Sequence, residues 1–127
     1  MVVFGAEDVG PLKYLNALED WIEKTGWVLS ENAKTLFNLN NKENVDVNLA
    51  SIIITGTSLG RSLDKDLIVK AKELNIPSVA IIEHWTWYKK RFEIDGGLLF
   101  PDYFVVNDEH AKNQAIDEGL PTNKIFI

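Results

Sequence analysis

The chain contains no cysteine, so a disulfide framework, a thiolate metal site and a cysteine nucleophile are excluded. It also has no apolar run near the roughly 18 residues that a transmembrane helix needs. No basic leader precedes its first apolar residues. A chain without disulfides suits a reducing compartment, so these absences together predict a cytoplasmic protein.

Positive charge is also scarce, because 13 basic residues face 19 acidic ones and the net charge is −6 at pH 7. A phosphate backbone would repel such a chain, so we expect no nucleic-acid partner. The two histidines, His84 and His110, lie too far apart in sequence for a local metal motif, and we predict no metal. We interpret His110 as part of a helix start that is capped by Asp108.

What the sequence does contain is a regular alternation of strand-like and helix-like segments. Strands are predicted at residues 2–4, 27–29, 51–55, 78–82, 103–106 and 124–127. Helices are predicted at residues 11–24, 31–37, 64–74, 85–92 and 109–118, with a polar loop at residues 38–48. The length of 127 residues suits one domain. The alternation predicts an α/β, three-layer Rossmann-like domain with a mostly parallel sheet of about six strands, in the order 2-1-3-4-5-6.

The last predicted strand ends on Ile-Phe-Ile without a polar tail. Because chain termini are usually polar and exposed, we expect this sequence to be one half of a longer protein. The alternative is a small domain that ends on an edge strand.

Open parallel sheets bind ligands beyond the carboxyl ends of their strands, where the strand order reverses. For the predicted order, the rim of this crevice would be residues 5–10, 55–62 and 83–88. The first rim segment, GAEDVG, allows close backbone approach through its glycines. It is not GxGxxG and holds two acids, which argues against a dinucleotide site. An ordinary turn capped by Asp8 is the alternative.

The second rim segment combines hydroxyls, glycines and an arginine just before a predicted helix. This combination favours an anion or a sugar hydroxyl. The predicted substrate-binding residues of this segment are Thr55, Gly56, Thr57, Ser58 and Arg61. The segment lacks the GK[ST] ending of a P-loop, so an NTPase is disfavoured. A tight turn with hydroxyl capping is the alternative.

The third rim segment opens the run EHWTWYKKRF, which is the densest group of functional side chains in the chain. Glu83 and His84 follow the fourth strand at the ligand-binding edge, where a histidine could act as a general base, so His84 is a predicted catalytic residue. Trp85 or Trp87 could stack on a sugar ring, and the three basic residues could bind a phosphate. The predicted substrate-binding residues of this run are Trp87, Lys89 and Arg91.

The same run also fits a purely structural interpretation. Trp85, Tyr88 and Phe92 recur at the spacing of a helix face that points into a core. The basic residues would then form a solvated face.

One family has a similar layout. From residue 51 to residue 83 the chain reads as strand, Thr-Gly-Thr-Ser, helix, Asn-Ile-Pro, strand and Glu-His. Phe-Pro-Asp-Tyr, Asn-Asp and Gly-Leu-Pro continue the pattern up to the last strand. This layout resembles the N-terminal half of GT-B glycosyltransferases and of the related sugar-nucleotide 2-epimerases, including the lipid-linked GlcNAc transferase of peptidoglycan synthesis. The loop at residues 5–10 departs from the glycine-rich first loop common in that family.

The resemblance implies the acceptor-binding half of an enzyme of cell-surface polysaccharide or glycan synthesis. Glu83 or His84 would deprotonate an acceptor hydroxyl, and the Thr55–Ser58 loop would face the cleft. The resemblance implies no cofactor, because the nucleotide-sugar is a substrate that a C-terminal domain of the same protein would bind. The other implied partners are a small-molecule or lipid-linked sugar acceptor and a peripheral contact with the inner membrane face. This half alone would be weak or inactive.

The alternative is a stand-alone, flavodoxin-like module that binds a ligand or regulates without catalysis. A phosphorylation receiver fits poorly, because the third strand ends in Thr55 and Gly56 rather than in an aspartate.

Overall fold

Parallel strands alternate with helices along the computed structural model, which describes residues 1–36, 43–60 and 62–127. Three of the predicted features, the helix end at Phe37, the loop residues 38–42 and the binding residue Arg61, lie outside the described residues. The strands are Val2–Ala6 (β1), Thr25–Leu29 (β2), Ile52–Thr55 (β3), Ser78–Ile82 (β4), Glu93–Ile94 (β5), Gly97–Leu98 (β6), Tyr103–Val106 (β7) and Ile125–Phe126 (β8). The α-helices are Val9–Glu19 (α1), Glu31–Leu36 (α2), Leu63–Glu73 (α3) and Glu109–Asp117 (α4).

Six of these strands form one parallel sheet in the order β2-β1-β3-β4-β7-β8. β1 lies beside both β2 and β3, and Gly5 is in register with Val28 on one side and with Thr55 on the other. The predicted fold and strand order are confirmed, since β7 and β8 are the predicted fifth and sixth strands. The order reverses between β1 and β3, so a ligand crevice is expected at their carboxyl ends.

Successive residues of β1 face opposite sides of the sheet, which explains the three layers. Phe4 packs with Leu12 and Leu15 of α1 on one face. Val3 packs with Leu67 and Ala71 of α3 on the other face. Because a central strand covered on both faces must be apolar throughout, the run Val-Val-Phe is the sequence cause of this arrangement.

The first helix is shorter than predicted. α1 ends at Glu19 rather than at residue 24, and Trp21 is 88% exposed. The chain must turn before residue 25, because the backbone N–H of Val2 donates to the carbonyl of Lys24 at 2.9 Å and β2 pairs with β1 from Thr25 onward. Strand pairing therefore overrides the helical spacing of the last apolar residues.

The predicted helix at residues 85–92 is wrong. Only Lys90–Phe92 is helical, as a single 3₁₀ turn, and Trp87 has a left-handed backbone with φ of 54°. Tyr88 and Phe92 are buried as the apolar spacing suggested, whereas Trp85 is 52% exposed. The antiparallel hairpin of β5 and β6 follows, with residues 95 and 96 at positive φ in its turn.

The two aspartates that were predicted to cap helices differ in their capping hydrogen bonds. Asp108 caps α4, since its carboxylate accepts from the backbone N–H of Ala111 at 2.8 Å. Asp8 occupies the N-cap position of α1, but its side chain makes no capping hydrogen bond. Within the described ranges, no helix combines the length and the apolar character needed to cross a membrane.

Candidate functional site

A cleft of about 440 Å³ opens at the carboxyl ends of β1, β3 and β4. All three predicted rim segments contribute to its walls. The lining residues are Asp8, Gly10, Pro11, Thr57, Ser58, Leu59, Glu83, His84, Thr86, Trp87 and Arg91. The crevice therefore lies where the reversal of strand order predicts it.

Glu83 is the most enclosed acid of the cleft. Its side chain is 14% exposed, against 53% for His84, and the His84 Nε2 lies 3.4 Å from the Glu83 Oε1. Burial raises the pKa of Glu83 above its ordinary value, while the positive charges of His84 and Arg91 oppose that rise. A carboxyl that is shielded from water and has a raised pKa is a better proton acceptor than an exposed one.

A glycine makes room for this carboxylate. A Cβ placed on Gly10 would lie 2.1 Å from the Glu83 Oε1, which is far closer than any real contact. Gly10 belongs to the first turn of α1, so the carboxylate lies against the N-terminal end of that helix. The partial positive charge of a helix N-terminus favours an anion in this place.

The backbone of Glu83 is also fixed. Its carbonyl accepts from the Nδ2 of Asn107, at 2.8 Å, just after β7. Glu83 is therefore enclosed from two sides, by α1 around its carboxylate and by the β7–α4 turn at its main chain.

The buried side chain of Arg91 lies at the bottom of the cleft. It is only 5% exposed, and it donates from Nη1 to the carbonyl of Thr57 at 2.8 Å and from Nε to the carbonyl of Thr86 at 3.2 Å. Burial lowers the pKa of Arg91, and the charge of Glu83 opposes this. The guanidinium thus joins the β3 loop to the β4 loop and places a positive charge near Glu83.

The β3 loop is held by a buried aspartate of α3. Asp64 is 1% exposed, and its two oxygens accept from the backbone N–H groups of Glu7 at 3.1 Å and of Ser58 at 2.9 Å. Glu7 returns the interaction, since its Oε2 accepts from the backbone N–H of Leu63 at 3.1 Å. Burial raises the pKa of Asp64, although these hydrogen bonds favour its charged form. The loops after β1 and β3 are therefore cross-braced.

The predicted residues of the β3 loop divide into two groups. Thr57 and Ser58 line the cleft, and the Thr57 hydroxyl donates to the carbonyl of Ile81 at 3.2 Å. Thr55 is fully buried and makes no side-chain hydrogen bond to a described residue. Gly56 packs against Pro11, because a Cβ at Gly56 would lie 2.3 Å from the Pro11 Cγ. Thr55, at the end of β3, and Gly56 thus support the fold beneath the cleft.

The candidate binding residues of the loop after β4 do not all lie in the cleft. Trp87 lines the cleft and is 53% exposed, with the Lys90 ammonium 5.3 Å from its ring centroid. Trp85 points elsewhere, as its Nε1 donates to the Asp108 carboxylate at 3.0 Å. Lys89 lines a different groove, beside the β5–β6 hairpin. The basic run therefore does not form one phosphate site.

The sequence predicted that residues 5–10 belong to the rim and argued only against a dinucleotide site there. That loop supplies Asp8 and Gly10 to the cleft, and Pro11 follows them. What the sequence did not predict is that Gly10 leaves room for the Glu83 carboxylate.

No family model, no curated protein and no solved structure matches this chain. Its chemistry must therefore be argued from the cleft itself. Across the described ranges, no three His, Cys, Asp or Glu side chains are grouped so that they could hold a metal ion. The arrangement offers a shielded carboxylate, a neighbouring imidazole, the exposed Thr86 and an exposed indole, which suits the binding and deprotonation of a polyhydroxylated ligand.

Proposed function

We propose that this chain is the acceptor-binding half of a glycosyltransferase, or of a related sugar-nucleotide enzyme, in cell-surface glycan synthesis. The observation that carries the proposal is the Glu83 carboxylate, enclosed at the carboxyl edge of the sheet between His84, Gly10 and Arg91. The layout of the sequence, which resembles GT-B enzymes, supplies the choice of reaction class. The acceptor is a small-molecule or lipid-linked sugar, and a peripheral membrane contact belongs to the same proposal.

In the proposed reaction, an acceptor hydroxyl oxygen forms a bond to the anomeric carbon of the donor. The bond from that carbon to the nucleoside diphosphate breaks, and the diphosphate leaves with the electron pair. Glu83 takes the hydroxyl proton, because its raised pKa improves proton uptake and its position faces the cleft. His84, close to the Glu83 Oε1, stabilises the carboxylate before the transfer.

The donor nucleotide-sugar is bound mainly by a C-terminal domain in this proposal, so the chain alone binds an acceptor without transferring sugar. The test is a titration of the ¹⁵N-labelled chain with a panel of methyl glycosides, followed by amide chemical shifts. We expect shifts centred on the loops after β3 and β4. Glu83→Gln should weaken binding roughly tenfold or more, because a hydrogen bond to a charged acceptor is lost.

Glu23→Gln is the matched control, because Glu23 is an exposed acid in the turn before β2, at the opposite edge of the sheet. It should leave the affinity unchanged. If no glycoside shifts the cleft amides, or if the chain alone transfers sugar from a nucleotide-sugar, the acceptor-half proposal is wrong. Saccharide binding that Glu83→Gln does not alter would remove Glu83 from its proposed role.

A further inference from the structure

Trp87 has a backbone conformation that tryptophan rarely adopts. Among the described non-glycine residues, those at positive φ are Asn75 at 55°, Trp87 at 54° and Asp95 at 46°. Asn and Asp enter this left-handed region readily, because their short polar side chains can hydrogen-bond locally. Tryptophan has no such compensation, and glycine would be the ordinary residue at this position. The strained backbone indicates that tryptophan is present at position 87 because its indole side chain has a role, and not because the turn requires this residue.

The segment around Trp87 holds this conformation from several sides. The backbone N–H of Arg91 donates to the carbonyl of Trp87 at 3.3 Å, and the Arg91 Nε donates to the carbonyl of Thr86. The backbone N–H of Lys89 donates to the Glu118 carboxylate at 3.2 Å, just after α4. These anchors are independent of the indole, so a smaller residue at position 87 should keep the same backbone path.

The left-handed turn sends neighbouring side chains in opposite directions. Tyr88 enters the core, where it is fully buried and its hydroxyl donates to the Gln114 Oε1 at 3.2 Å. Trp87 lies instead in the wall of the cleft that contains Glu83, with about half of its surface exposed to water. A large apolar ring in the same cleft as a carboxylate is an arrangement that binds a sugar by one apolar face and by its hydroxyl groups.

We infer that Trp87 is a stacking platform for a pyranose ring, and that the acceptor is a sugar with equatorial hydroxyls. Such a ring has axial C–H bonds that form two apolar faces, one of which would lie on the indole while a hydroxyl points toward Glu83. This inference rests on the proposed function and narrows its substrate class. An acyclic polyol carries the same hydroxyls but has no flat apolar face, so it should bind poorly.

The experiment compares ring-closed and ring-opened probes on the whole chain. The probes are methyl β-D-glucopyranoside and methyl N-acetyl-β-D-glucosaminide, with sorbitol and N-acetylglucosaminitol as their open counterparts. The variants are Trp87→Ala and Trp87→Gly, with Trp21→Ala as control, since Trp21 is 88% exposed and lies beyond the far end of α1. Affinity is measured by NMR titration and stability by thermal unfolding.

We expect a glycoside to bind the unaltered chain and Trp21→Ala equally well, and either Trp87 variant roughly tenfold more weakly. Trp87→Gly should melt about 3–5 °C above Trp87→Ala, because glycine relieves the left-handed strain that alanine keeps. Asn75→Gly against Asn75→Ala gives the same comparison at a position outside the cleft. Asn75→Gly should also melt above Asn75→Ala, and neither variant should change the glycoside affinity.

Two results would overturn the inference while leaving the proposed function intact. One is glycoside binding that survives Trp87→Ala, and the other is a sorbitol affinity equal to that of the glucoside. If Trp87→Gly melts below Trp87→Ala, the strain argument is wrong. If no sugar binds the unaltered chain at all, the inference and the proposed function fail together.

Discussion

The position of Glu83 depends on the absence of a side chain at Gly10. Ala in place of Gly inside a helix normally stabilises a protein by about 0.5–1 kcal/mol. In Gly10→Ala, however, the new methyl group would occupy the space of the Glu83 Oε1. We expect the carboxylate to move outward, so that the pKa of Glu83 falls toward its ordinary value and glycoside affinity drops. A ¹³C NMR titration of the Glu83 carboxyl measures the first effect.

Gly97→Ala is the control for that substitution. The atom nearest to a Cβ at Gly97 is the carbonyl oxygen of Ile94, at an ordinary 3.8 Å, and this position lies in the β5–β6 hairpin away from the cleft. It should leave the pKa of Glu83 unchanged. If Gly10→Ala also leaves it unchanged, the close approach of Gly10 does not set the environment of Glu83.

Residue-level reasoning from the sequence located the cleft but not all of its parts. Glu83, His84 and Trp87 were predicted because polar and aromatic side chains that follow a parallel strand meet at one edge. The structure places all three in the cleft, and their roles in binding or catalysis stay predictions. Thr55 and Lys89 lie elsewhere, since a loop of consecutive candidates alternates between core, cleft and outer surface. The pairing of Gly10 with Glu83 joins two loops, and no local pattern reveals it.

Among the elements, the segment after β4 shows where periodicity misleads. Its aromatic spacing fits a helix, and two of the three aromatic residues are buried as a helix stripe would bury them. The burial is reached instead by bends at residues 84–86, a left-handed residue at Trp87 and a single 3₁₀ turn at Lys90–Phe92. The strands of the sheet were easier to predict, because continuous apolar β-branched runs fit few other environments.

The hydrogen bonds of Asp64 join the loops after β1 and β3 and should contribute measurably to the free energy of unfolding. Asp64→Ala would leave the buried N–H groups of Glu7 and Ser58 without their acceptor. We expect a loss of about 2 kcal/mol in unfolding free energy, because unpaired buried donors are costly. We also expect weaker glycoside binding, since both loops line the cleft. Urea denaturation measures the stability term.

The control for the brace is Asp117→Ala, which removes an exposed acid on α4. It should change stability by less than about 0.5 kcal/mol. A loss in Asp64→Ala as small as that of the control would show that the two loops keep their arrangement without the carboxylate.

For the whole molecule, two features make the fold more stable when the pH falls below neutrality: the raised pKa values of the buried acids and the negative net charge. Burial raises the pKa of Asp64 and of Glu83 in the folded state. A carboxyl whose pKa is higher in the folded than in the unfolded protein stabilises the fold when it is protonated. This stabilisation is complete below the pKa of the unfolded state and is lost as the pH rises through the pKa of the folded state. The net charge of −6 at pH 7 also adds self-repulsion that protonation relieves.

The chain should therefore be more stable in mildly acidic solution than at neutral pH. We expect the melting temperature at constant ionic strength to rise as the pH falls from neutrality toward the ordinary carboxyl range. It should fall again in stronger acid, because backbone hydrogen bonds lower the pKa of Asp46 and of Asp108, and those bonds weaken once the carboxylates are protonated. Glu83→Gln should reduce the acid-side rise, since its amide does not titrate. A melting temperature that only declines from neutral to acidic pH would contradict the assignment of Asp64 and Glu83 as acids whose burial favours the protonated form.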